Sequence, residues 1–525
     1  MKTGWFTLSM ACSVFWVLAS CSKPDSAIPR IDGPNIVWVV WDTVRADHLS
    51  LYGYSKPTTP HLDMWARGAR VFENCTSTAG STIPSHASMF TGLLPTEHGA
   101  NNQHRRFHDG HDSIAEILKG SGYRTYLYSA NPNVAMELNF HQGFEVEEHP
   151  WDDQYEKEAF RILMSKLVPE DRSSELLDKV RSQTFTKWDI KASGELAQRG
   201  LLTWLKSSDK DRPFFAFINY MEAHRPYLPE SQFRKIMMTP EQIAASYKVD
   251  RSWVPMWAYT FGVHEYSVDE LALTAATYDA TLAELDDIFS KLLAALEKSG
   301  HLEDTVIILT SDHGEQLGEH HMLDHQYSLY DPLLRVPLIV HYPKAFSPGR
   351  ESRPVSNFDL FPTLLEVLNI SSSATGSVSA ISLLHPSPDR VRMAEYPAFF
   401  QRPLASIKEE YPSFDSASWE RHLRAIFEGD HKFIWGSDGR HELYDLGKDP
   451  DELVNLLPAE ATVGAKIEAT LANRVERMRP RFEGGPPPQV SEEMMRRLGG
   501  LGYTDTSEPS ETDAQPTSQK VKDGP

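Results

Sequence analysis

The chain has 525 residues, 40% hydrophobic and 24% charged, with 52 basic against 73 acidic side chains. That profile is too apolar and aromatic for disorder and too polar overall for a multi-span membrane protein. A formal net charge of −21 argues against nucleic acid as a partner, because phosphate backbones are bound by excess Lys and Arg. Cys12 and Cys21 lie near the start, which leaves Cys75 alone in the body, so no disulfide is expected there.

The N-terminus reads as a targeting segment. Met1-Lys2 is a short basic start, and Trp5 to Ser20 is an apolar run of 16 residues. A spanning helix needs about 20 apolar residues, so the run fits a signal peptide better. It ends Leu18-Ala19-Ser20-Cys21, which resembles a bacterial lipoprotein signal with lipid on the Cys21 sulfur. The resemblance implies residues 1–21 as signal, 22–33 as tether, and an extracytoplasmic body held to a bacterial membrane by acyl chains, periplasm-facing or at the cell surface.

From Pro34 the pattern alternates strand and helix. Asn35–Trp41 is an unbroken apolar run, as expected for a strand buried on both faces of a parallel sheet. Comparable runs are Thr125–Ser129, Phe214–Tyr220, Thr305–Thr310 and Pro337–Tyr342. Helical stretches between them include Ala192–Lys206 and Val268–Ser299, the latter closed by Gly300. The order predicts an α/β unit over 34–370: a doubly wound, mixed, mostly parallel sheet with helices on both faces. Ser371–Ser387 reads as a loop. Short strands at His422–Phe427, Lys432–Trp435 and Glu442–Leu446, then a helix over Thr462–Met478, predict a smaller C-terminal α+β subdomain within 371–503. Residues 504–525 have no apolar period and read as a disordered tail.

Three segments close predicted strands with chemistry-bearing residues: Asp42-Thr43-Val44-Arg45, Glu222-Ala223-His224, and Ser311-Asp312-His313-Gly314-Glu315. The C-terminal edge of an open α/β sheet is where ligands bind, and a carboxylate there needs a metal, a cation or hydrogen bonds. Residues 82–99, 219–229 and 310–326 hold seven of the 21 histidines, a density that with the carboxylates points to a divalent metal and an anionic substrate. In Thr82-Ile83-Pro84-Ser85-His86, Pro84 suits a first helical turn and Gly92 a helix end. Thr82 then falls at a helix N-terminus, where an anion is favoured; alone, Ser81 or Thr82 serves equally as a cap.

The set resembles the sulfatase family of the alkaline phosphatase superfamily. Its pattern of Cys or Ser, any residue, Pro, Ser, Arg, then Thr-Gly is met by Thr82-Ile83-Pro84-Ser85-His86 with Thr91-Gly92. Further matches are Asp42, Asp312-His313-Gly314-Glu315, Leu329-Tyr330-Asp331, Asp359-Leu360-Phe361-Pro362-Thr363 and Glu442-Leu443-Tyr444-Asp445. The resemblance covers about 34–503 and implies an ester hydrolase that attacks a sulfate- or phosphate-type ester in line. Family members oxidise the Cys or Ser to formylglycine; Thr82 stands there instead, so no formylglycine is expected and Thr82 itself is the expected nucleophile.

Carried over residue by residue, one divalent metal falls to Asp42, Thr82, Asp312 and His313. Calcium is the family's usual ion, while the loss of one carboxylate and the presence of His313 lean towards zinc or manganese. His224 and His325 match positions that touch the transferred group, as acid or, in some relatives, as ligands of a second zinc. His86 and Arg45 are candidate substrate contacts. The alternatives are a phosphotransferase resembling phosphoethanolamine transferases, and a non-catalytic binder of anionic glycans.

Overall fold

Alternate residues of the first strand, Asn35–Trp41, belong to two different cores. Val37, Val39 and Trp41 pack with Leu196, Leu285 and Phe289, whereas Ile36, Trp38 and Val40 pack with Phe90, Leu118 and Phe361. A strand apolar on both sides must be covered on both, which is the reason for a three-layer unit. The computed structural model describes residues 1, 33–166, 189–207, 212–371, 380–481 and 491–500. Cys21, the tether up to residue 32 and the C-terminal tail lie outside the described residues. Among those described, no helix is long and apolar enough to cross a membrane, and Cys75 is buried and free.

Eight strands form the main sheet: β1 (Asn35–Trp41), β2 (Arg70–Phe72), β3 (Arg124–Ser129), β4 (Val146–Glu148), β5 (Phe214–Tyr220), β6 (Thr305–Thr310), β7 (Leu338–His341) and β8 (Gly349–Glu351). Their order is β8-β2-β7-β6-β1-β5-β3-β4. The stretch from β6 to β4 is parallel, and β7 runs antiparallel to both its neighbours. The fold is thus the mixed, mostly parallel α/β sheet expected. Four helices matter below: α1 (Thr82–Thr91), α2 (Ser193–Ser207), α3 (Trp253–Thr260) and α4 (Val268–Lys298). Gly92 ends α1 at φ 65°, where an added Cβ would strike the Phe361 ring at 2.8 Å.

The smaller unit is an antiparallel sheet of β9 (Arg392–Tyr396), β10 (Leu423–Glu428), β11 (His431–Gly436) and β12 (Glu442–Asp445), in that order. The helix Ala461–Arg477 covers one face through Ile467 and Leu471, and the other face meets Leu329 and Leu334 of the first unit. Lys432, fully buried, joins the two units by bonding Asp331 at 2.8 Å and Glu452 at 2.6 Å. Strand β9 has no apolar run to announce it: Arg392-Met393-Ala394-Glu395-Tyr396 is buried because Glu395 is held by Thr96 and Arg424.

Candidate active site

β1 delivers Asp42 to the C-terminal edge of the sheet, and the next residue turns sharply. Thr43 has φ 63°, a strained conformation for a β-branched side chain. It is held there because Tyr278 donates to its carbonyl at 2.8 Å while its own N–H donates to Asp312 Oδ1 at 3.2 Å. The turn leaves the Asp42 carboxylate buried, with Oδ2 accepting from Asn131 Nδ2 at 2.7 Å and Asn219 Nδ2 at 3.2 Å. Thr82 is the first residue of α1. Its Oγ1 lies 3.4 Å from His313 Nε2 and 3.4 Å from Asn131 Nδ2. Ser81 precedes it with no side-chain cap bond, so the capping role is not what places Thr82.

Asp42, Asp312 and His313 bring one ligand atom each within 4.8 Å of one another. Asp42 Oδ1 and Asp312 Oδ2 are buried with no hydrogen-bond partner among the described residues. His313 Nδ1 lies 2.9 Å from the Gly314 carbonyl, which can only accept, so Nδ1 carries the proton and Nε2 presents a lone pair. Burial, and next the charge on His325, lowers His313 to about 3, so it is neutral. Two orphaned carboxylate oxygens beside a neutral imidazole nitrogen fit a divalent cation.

Burial pushes both Asp42 and Asp312 up to about 7, with mutual repulsion adding to it at Asp42. An acid raised in the folded state contributes stability that is full below its unfolded value and lost as pH rises through its folded one. The Tm of chelator-treated protein is therefore expected to fall between about pH 4 and about pH 7, while metal-loaded protein escapes that fall. Calorimetric titration of the cation near neutral pH should also release protons. Identical pH dependence of the two forms would count against this ligand set.

The two remaining histidines are held in opposite states. His325 Nδ1 sits 2.9 Å from Asp324 Oδ1 and 3.3 Å from Glu315 Oε1. Burial opposes its charge, but those two carboxylates hold it well above the ordinary histidine value, an imidazolium. Asp324 is itself braced by the Trp257 indole N–H at 3.2 Å and by Arg225 at 3.6 Å. His224 Nδ1 lies 2.6 Å from the Arg225 carbonyl. Burial, then the charges of His325 and Lys191, keep it well below the ordinary value, a neutral imidazole. The rings of His325 and His224 are 5.0 Å apart, and His325 is 4.6 Å from His313. The loop that carries His325 is strained, with positive φ at His320, His321, Asp324 and Tyr327, as functional sites often are.

The sulfatase family model matches residues 34–370, and the model described as N-sulphoglucosamine sulphohydrolase, C-terminal, matches 318–481. The chain belongs to the sulfatase family. It is 24% identical over 506 residues to an N-acetylglucosamine-6-O-sulfatase of Bacteroides thetaiotaomicron, covering 84% of this chain and 85% of the relative. An arylsulfatase of Clostridium perfringens is 24% identical over 473 residues, covering 81% and 91%. Among solved structures, a phosphonate monoester hydrolase of Agrobacterium radiobacter superposes with a TM-score of 0.64 at 20% identity, over 87% of this chain and all of that one. A protein solved in complex with its substrate D-glucosamine-2-N,6-O-disulfate superposes with a TM-score of 0.62 at 19% identity, over 85% and 97%.

For this sulfatase-family ester hydrolase, two expected substrate contacts sit elsewhere. The Arg45 guanidinium is engaged by Asp47 at 2.7 Å, Glu319 at 2.6 Å and the Glu315 carbonyl at 3.2 Å. It ties Asp47 to the loop of Glu315 and Glu319 and lines a cleft of about 820 Å³ between the two units. His86, one turn into α1, is buried with its Nδ1 3.0 Å from the Thr82 carbonyl and 3.5 Å from Asp312 Oδ2, its ring among Phe90, Phe140 and Phe217. Burial lowers it to about 3, so it offers an anion no charge. Sequence reasoning missed Asn131, Asn219 and Asp324, and named Glu315 without a role. Two signals were present: an Asn inside the apolar run Phe214–Tyr220, and a second Asp-His pair, Asp324-His325, echoing Asp312-His313.

Proposed function

We propose that the protein hydrolyses an anionic sulfate- or phosphate-type ester, by in-line attack of Thr82 and a covalent intermediate that water releases. The supporting observation is the convergence of the Thr82 hydroxyl, two orphaned carboxylate oxygens and the His313 lone pair at the N-terminus of α1. A calcium, zinc or manganese ion held by Asp42, Asp312, His313 and Thr82 would lower the hydroxyl's pKa and offset charge on the transferred group.

The chain's own residues supply the rest. The Asn131 amide N–H steadies the Thr82 oxygen. Thr82 would enter as the alkoxide, its hydroxyl proton having passed to solvent water when the cation binds. As Oγ1 bonds to the central atom, the bond to the leaving oxygen breaks and that oxygen takes a proton from His325. A water then attacks, giving a proton to His325, now neutral; the bond to Oγ1 breaks and acid is released. Phosphate and phosphonate esters suit Thr82 best, because a sulfated threonine lacks the second hydroxyl with which a formylglycine hydrate expels sulfate. The Cys21 signal supports an extracytoplasmic, lipid-anchored setting, and sulfated sugars remain within reach of the reading through the relatives' names.

The test is a panel of aryl sulfate, phosphate monoester, phosphate diester and phosphonate ester, each with calcium, zinc or manganese. Turnover of a phosphorus ester above sulfate is expected. Sulfate turnover alone would favour a metal-bound water, and silence across the panel would favour a transferase or a binder.

A further inference from the structure

The turn after β5 is wrapped around a buried lysine. Lys191 lies in the short helical turn Asp189–Ala192 that leads into α2, and it is 1% exposed. Its ammonium donates to the main-chain carbonyls of Met221 and His224, and the Glu222 carbonyl lies 3.5 Å away. An ammonium has three donors and no acceptor, so three carbonyls complete it. Among the described residues no carboxylate bonds it. The Glu222 carboxylate is taken up by the Ser193 hydroxyl at 2.6 Å and the Gly194 N–H at 3.1 Å. Its anchoring is firm: Ile190 packs with Met221 and Ala130, and Asp189 pairs with Arg497 at 2.9 Å.

Burying a cation among neutral oxygens is costly, and burial lowers Lys191 to about 7. A neutral apolar side chain of the same length would fill the space without that cost, but would leave three buried carbonyls pointing at one another. What the cation does is gather them. The residues gathered, Met221 to His224, are those that carry the imidazole of His224 to its place beside His325. The ring is fixed from its other side by the Arg225 carbonyl.

We propose that Lys191 is a positioning residue of the reaction: its ammonium closes the Met221–His224 turn and so sets the His224 imidazole at the site. This rests on the proposed role of the site as an ester hydrolase centre, and on the contact to the transferred group that the family resemblance implies for His224, whose ring stands 5.0 Å from that of His325.

The experiment has two readouts on the full chain. In Lys191→Ala, kcat is expected to fall by about 10²-fold, the cost of misplacing by about an ångström a side chain that positions the transferred group. Methylammonium should restore part of it, and tetramethylammonium, which has no N–H to donate, should not. Crystals of the same variant are expected to show the 221–224 turn opened and the His224 ring moved from His325, with methylammonium returning both. An unmoved turn overturns the proposal, whether or not activity falls. So does a moved turn with unchanged kcat, or lost activity that methylammonium fails to restore. Should wild-type protein turn over none of the esters, the hydrolase reading fails and the crystal readout alone decides the clamp. If Lys191→Ala does not fold, Lys191→Gln, which keeps two donors without the charge, goes through the same assays.

Discussion

Thr82→Ala is expected to lower kcat by roughly 10⁴-fold or more, the scale seen when a covalent nucleophile is removed, with Tm little changed. The fold does not depend on the hydroxyl: among the described residues it makes only two long contacts, each 3.4 Å. Thr82→Ser keeps an oxygen at the same helix terminus and should retain most of the activity. The pair separates chemistry from packing, since a general loss of site geometry would strike both variants. Initial rates with the best ester of the panel, beside thermal melts, decide it. Alanine and serine variants of equal activity would contradict a Thr82 nucleophile.

The second large effect belongs to His325. Removing a positioned general acid costs about 10²–10⁴-fold, and the loss should follow the leaving group. In His325→Gln an alkyl ester, whose leaving oxygen needs a proton, is expected to suffer the full loss, whereas a nitrophenyl ester should suffer far less. The pH profile carries the sign. Asp324 and Glu315 hold His325 as an imidazolium, active below its raised pKa, so the rate should fall as pH rises through that value. The alkaline fall should disappear in His325→Gln and persist in His224→Gln, because His224 is already neutral. Loss independent of leaving group would remove His325 from the acid role.

Much of this architecture was legible in the residues themselves. Buried parallel strands leave continuous apolar runs, and those of β1, β3, β5 and β6 fall where expected. Pro84 and Gly92 bracket α1, and the Asp312-His313 pair closes a strand as its chemistry requires. Strand β9 was not legible, because its burial comes from polar partners brought by other elements. The amide donors Asn131 and Asn219 leave no spacing signal, since their target, Asp42, is 89 and 177 residues away. Arg45 misled for a local reason. It stands three residues after Asp42, but the left-handed turn at Thr43 and the pull of Asp47 and Glu319 direct its guanidinium to the cleft between units. Lys191 acts through main-chain carbonyls, which no side-chain motif records.

The most direct test of the central claim is mass spectrometry of protein quenched in acid during steady turnover of the best ester. A covalent adduct of the transferred group on the peptide containing Thr82 is expected, located on the Thr82 hydroxyl and missing in Thr82→Ala. Turnover with no adduct, together with inversion at phosphorus rather than the retention that two in-line displacements give, would contradict the account and assign the attack to water.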